Sequence, residues 1–213
     1  GGVGPGASPG NESDNEIPQT FDEWAAILLT QPDWKKLTQF IGYFQTNLVS
    51  AEVFYQIIYA MLDDSRESMN ENGLRAAGST PGFESFLVLA SVLEHPSYTK
   101  KIKNIARSQL DTYKNWQHLG TLQSVLTGST SLFTKTLAAE YLSKSAENNL
   151  AQTAAPDTNG GAQPQSQSSR EIYKNKYLEI VALLRRLLDQ SEFNNGFAQA
   201  ATQTIDVIVR LTS

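Results

Sequence analysis

The chain has 213 residues and a mass of 23.4 kDa, enough for one domain or two small ones with a buried core. Its formal net charge of -5 argues against a general nucleic-acid binder, which would be strongly basic. The lack of cysteine excludes disulfides, thiolate catalysis and cysteine-based zinc sites, and two histidines are too few for a histidine-rich metal site.

The first nineteen residues are Gly-, Pro- and Asn-rich and read as a disordered arm. Residues 1–31 carry five acids (Glu12, Asp14, Glu16, Asp22, Glu23) and no base, whereas residues 32–150 carry eleven of each sign. Asn11-Glu12-Ser13 is a glycosylation sequon and Ser8-Pro9 a minimal phosphorylation site, both of low specificity. Nothing here has the basic-then-apolar order of a signal peptide, and no apolar run reaches the ~20 residues of a membrane span. The expectation is a soluble intracellular protein of cytoplasm or nucleus, with no membrane insertion.

Helices follow in order. Thr20 and Glu23 have the spacing of a capping box ahead of Trp24, Ile27 and Leu28. Pro32 suits the first turn of a second helix, with Trp34, Leu37, Phe40, Ile41 and Phe44 spaced by threes and fours. Ser50 caps a third, carrying Val53, Phe54, Ile57, Ile58, Met61 and Leu62. Residues 63–79 are polar, with a short helix expected over 65–76. Thr80-Pro81 opens a helix through Phe83, Phe86, Leu87, Ala90 and Leu93, and phosphate on Thr80 would meet its N-terminus. Pro96-Ser97 opens a longer helix to about His118, with Gly120 as its stop. A short apolar segment (Leu119, Leu122, Val125, Leu126) ends near Gly128, and another helix holds Leu132, Phe133, Leu137, Tyr141 and Leu142. Residues 146–169 read as a flexible Gln/Ser/Asn-rich linker. Ser169 caps a helix to Gln190 and Ser191 begins the last.

No strand alternation or hairpin turn occurs, so the class is all-α: seven to nine helices in an antiparallel bundle or a helical-repeat-like stack. The expected organisation is an arm at 1–19, a helical body at 20–145, the linker, and two C-terminal helices at 170–213. Apolar positions cover about half the circumference of helix 170–190, more than a surface helix needs, so this pair should dock on the body.

Five groups of residues bear on function. Lys100, Lys103, Arg107 and Lys114 gather on one side of helix 97–118, opposite Tyr98, Ile102, Ile105, Tyr113 and Trp116. Such a strip is either a docking face for an acidic peptide, phosphate or RNA backbone, or an ordinary solvated helix face. The acidic arm is a third occupant by charge. Trp34, Tyr43, Tyr55 and Tyr59 belong to an aromatic-rich stretch and form either a ligand groove or core packing. His95 and His118 sit at predicted helix ends, where capping is the simpler role, and neither has an i, i+4 metal partner. Asp63, Asp64, Glu67 and Glu71 lack the spacing of a calcium loop. Gly73, Gly78 and Gly82 lack the ending of a phosphate loop, no nucleophile elbow is present, and no cofactor is expected. The sequence therefore points to a non-enzymatic helical interaction domain, an adaptor or scaffold with a protein partner. The rivals are a self-assembling, capsid-like subunit and an RNA-binding helical protein.

Overall fold

In a computed structural model the described residues are 16–154, 167–190 and 195–213. Glu12, Asp14, the Asn11 sequon, Ser8-Pro9, residues 155–166 of the expected linker and the Ser191 cap lie outside them. The described residues are helical without strands. They hold ten α-helices, more than the seven to nine expected. The excess arises because polar or broken stretches are helical too.

The chain divides into two compact units between Thr80 and Pro81. The first contains α1 (Phe21–Leu28), α2 (Trp34–Gln45), α3 (Ala51–Asp63) and α4 (Glu67–Ser79). The Thr20/Glu23 capping box forms as expected, and Ser50 caps α3. For α2 the cap is Asp33, whose side chain accepts from the Lys36 N–H, so Pro32 lies just outside the helix rather than in its first turn. Residues 16–19, expected in the arm, are tied to this unit. The Trp24 indole donates to the Pro18 carbonyl at 2.7 Å, and Gln19 donates to the Leu48 carbonyl.

The unit's core is aromatic. Phe54 stacks on Phe44 with centroids 3.9 Å apart and lies 5.2 Å from Phe40, which meets Trp24 at 4.7 Å. The polar helix α4 packs on α3 because its inner residues are small or apolar: Met69, Gly73, Leu74, Ala76 and Ala77 are buried. It runs past the expected end at 76. Its N-terminus is fixed by Arg66, which pairs with Asp64 at 2.8 Å and donates to the carbonyls of Leu29 and Thr30. Buried Asn70 donates to the carbonyls of Met61, Leu62 and Asp64, the open C-terminal end of α3.

The second unit contains α5 (Phe83–Glu94), α6 (Lys100–Leu110), α7 (Leu119–Thr127), α8 (Leu132–Ala154), α9 (Gln167–Gln190) and α10 (Asn195–Thr212). The helix expected from 97 to 118 is interrupted. Thr99 caps α6, which ends at Leu110 and gives way to 3-10 turns at Asp111–Lys114 and Trp116–His118. The interruption turns Tyr113 inward, where it is fully buried. Its hydroxyl donates to the Gly82 carbonyl and accepts from the Gly82 N–H, holding the start of α5. Gly120, expected as a stop, lies within the first turn of α7 rather than beyond a helix end.

Helix α8 continues to Ala154, into the segment expected as linker, because buried Ala146 and Leu150 extend the stripe from Leu142. Helix α9 begins at Gln167, ahead of the expected Ser169 cap, and packs on α8 and α10. Tyr177 of α9 is fully buried, its hydroxyl 2.6 Å from Ser145 Oγ and accepting from Asn149 Nδ2 at 2.9 Å. Burial pushes the Tyr177 phenol pKa upward against the pull of these two bonds. Thr204 of α10 donates to the Ala139 carbonyl at 2.7 Å. No described helix is long and apolar enough to cross a membrane.

Candidate docking face

Helix α6 owes its place to Ile102, Ala106 and Leu110, which recur every four residues and are buried. That seating leaves Lys100 and Arg107 exposed and Lys103 half-buried on the outer side. None of the three forms an ion pair with a described carboxylate. Arg107 reaches only Asn104 Oδ1, at 3.4 Å. Lys114 departs from the expected strip. The 3-10 turn removes it from the periodicity of α6, and it pairs with Asp111 at 3.1 Å.

The structure adds a neighbour that no single-helix reading reveals. Tyr141 of α8 is buried, and burial pushes its phenol pKa up to about 12, with Asp111 and Glu140 adding to the rise and Arg107 opposing it. The Lys144 ammonium stands 4.6 Å over the same ring. Tyr141 thus packs under Lys144 of its own helix and lies within the field of Arg107. The i, i+3 spacing of Tyr141 and Lys144 is readable in the sequence.

The four aromatic candidates do not form a groove. Trp34 and Tyr43 are nine positions apart on α2, about 180° around it. Trp34 is 47% exposed, with the Arg75 guanidinium 5.6 Å over its ring. Tyr43 stands 6.1 Å from Trp24, and Tyr55 packs edge-on against Phe54 and Phe44. Tyr59 is exposed beside them on α3. Core packing accounts for Tyr43 and Tyr55. A separate aromatic contact escaped the sequence: Trp116, 37% exposed, lies 5.1 Å from Tyr173 with Lys176 over its indole.

His95 is the C-cap of α5, its Nδ1 2.7 Å from Ser97 Oγ. His118 sits at the opposite kind of end, the N-cap position of α7, 5.3 Å from the Tyr113 ring. Burial lowers its pKa, and a helix N-terminus disfavours its cation, so the cationic C-terminal cap expected for it does not apply. The acids after α3 are dispersed, Asp64 to Arg66 and Glu71 to Arg75, and no three potential ligands gather as a metal site among the described residues. A cavity of about 240 Å³ at the ends of α8, α9 and α10, lined by Leu150, Arg170, Lys174 and Leu211, is small for an organic ligand.

The unit boundary also sorts charge. Gly1–Thr80 holds four Lys and Arg against eleven Asp and Glu, and Pro81–Ser213 holds thirteen against eleven. No protein-family profile, curated protein or solved structure matches the chain.

Proposed function

We propose that this protein is a non-enzymatic helical interaction module, an adaptor or scaffold, that docks acidic protein segments on the face formed by Lys100, Lys103 and Arg107. The observation that carries the reading is the absence of ion pairs to described carboxylates at the three α6 cations, in a protein whose other unit is acidic. Unpaired cations on a rigid helix keep their field for a partner. An antiparallel bundle or stack of helix pairs supplies that rigidity, and consecutive helices packing together within each unit supports this part of the reading.

The test is fluorescence anisotropy of a labelled Glu/Ser peptide against the whole chain, with single-stranded RNA as competitor. Binding should weaken with salt and fall by about tenfold or more in K100E/K103E/R107E, while K35E/K36E, on the acidic unit, leaves it unchanged. Equal affinity in the wild type and the triple reversal overturns the reading. Displacement of the peptide by RNA at far lower concentration replaces it with the RNA-binding reading. The self-assembling reading draws on a different observation, the sorting of charge between units.

A further inference from the structure

We infer that the occupant of the cationic strip is a second copy of this chain, engaged through its own acidic segment from Glu12 to Glu23. The inference rests on the docking reading above and names the partner. Five acids lie in that segment, and the first base after it is Lys35. Glu16 and Asp22 are exposed. Glu23 is committed to the capping box, where its carboxylate accepts from Thr20. The two arginines of the same unit do not neutralise the segment, because Arg66 is held by Asp64 and Arg75 by Glu71.

The number of charges matches as well as the sign. Glu12, Asp14 and Glu16 alternate in the sequence, three acids within five residues. Lys100, Lys103 and Arg107 advance along α6 by about 4.5 and then 6 Å. A short acidic segment therefore carries enough charge to meet all three cations. Segment and strip are different patches, so the contact is heterologous: each copy offers one of each. Exposed charge pairs are individually weak and screened within about 10 Å at 0.1 M salt, so the association belongs to low salt and high protein concentration.

Sedimentation velocity over a concentration series tests this with four samples: wild type, E12K/D14K/E16K/D22K, K100E/K103E/R107E, and an equimolar mixture of the two variants. Circular dichroism checks that each variant stays helical. Wild type should self-associate at low salt and dissociate as salt rises. Each variant alone should sediment as a monomer, and the mixture should regain association, because each copy then carries the complement of the other. Wild type that stays monomeric throughout at low salt overturns the inference. A free peptide of residues 12–23 separates the two failures. If it binds a monomeric wild type, the docking reading stands and only the self-partner falls; if it does not bind, both fall. Tighter peptide binding after deletion of residues 1–15 from a monomeric chain assigns the segment to its own chain and also overturns the inference.

Discussion

Asn70 shows how much one side chain does in the acidic unit. Its amide is buried and supplies donors to three carbonyls at the end of α3. Removing it strands those carbonyls away from water, which costs about 1–3 kcal/mol. Asn70→Ala should therefore lower the unfolding free energy by that amount, read as a lower urea midpoint at unchanged slope, and Asn70→Asp should be worse, because a carboxylate would face the carbonyl oxygens. A midpoint unchanged in both would mean that water replaces the amide. Ser143 illustrates the reverse case. Its buried hydroxyl has no bonding partner among the described residues, while the carbonyl four residues earlier, Ala139, is taken by Thr204 from α10. The tertiary contact has displaced the local one.

At the scale of elements, helix ends decide most of what the periodicity left open. Helix α2 closes with Asn47 at a φ of 64°, the left-handed conformation that Asn tolerates better than most residues. The Leu48 N–H returns to the Tyr43 carbonyl and the Asn47 N–H to Phe44, a Schellman closure. Two glycines make an opposed pair. A Cβ on Gly73 would stand 3.1 Å from Met61 Cβ and 3.3 Å from the Ile58 carbonyl, so this glycine sets the approach of α4 to α3. At Gly120 a Cβ meets nothing within 4 Å. Gly73→Ala should destabilise by about 1–3 kcal/mol through overpacking, and Gly120→Ala should stabilise by up to about 1 kcal/mol through helix propensity. Thermal unfolding of the two variants beside wild type checks both signs. A stabilising Gly73→Ala would show that α3 and α4 have room to separate.

For the whole molecule, acid should act on the two units in different windows. His118 in the second unit has its pKa lowered below 6.5 by burial, so the unfolded chain takes up the proton more readily. Its contribution is intact above pH 6.5 and is lost as pH falls through the lowered folded value. Asp64 in the first unit is held at about 2, against 3.8, chiefly by the Arg66 side chain and then by the Arg66 backbone N–H. Its contribution persists above 3.8 and disappears only as pH falls toward 2. Urea midpoints taken between about pH 7 and pH 5 should fall in wild type and fall less in His118→Gln. Parallel slopes would remove His118 from the response.

The same scales separate what was legible from what was not. Apolar spacing every three or four residues, with Thr20, Ser50 and Gly128 as punctuation, sufficed for the all-α class and most helix positions, because a helix buries one stripe wherever its partner comes from. Periodicity also singled out Lys100, Lys103 and Arg107, since seating Ile102 and Ala106 inward turns them outward. It failed at Lys114 and Gly120, because the break after Leu110 follows from burying Tyr113 against the start of α5, a contact across 31 positions of sequence. It failed again at the aromatic residues, since which faces of α2 and α3 meet is a matter of packing. The sequence by itself determined the helical class, the acidic N-terminal run and the α6 strip, because each depends on local order along the chain. Only the tertiary structure decided that Lys114 leaves the strip, that the aromatic candidates are split between core and surface, and that charge divides at Thr80. These depend on which helices come together, and burial energy between distant segments selects that.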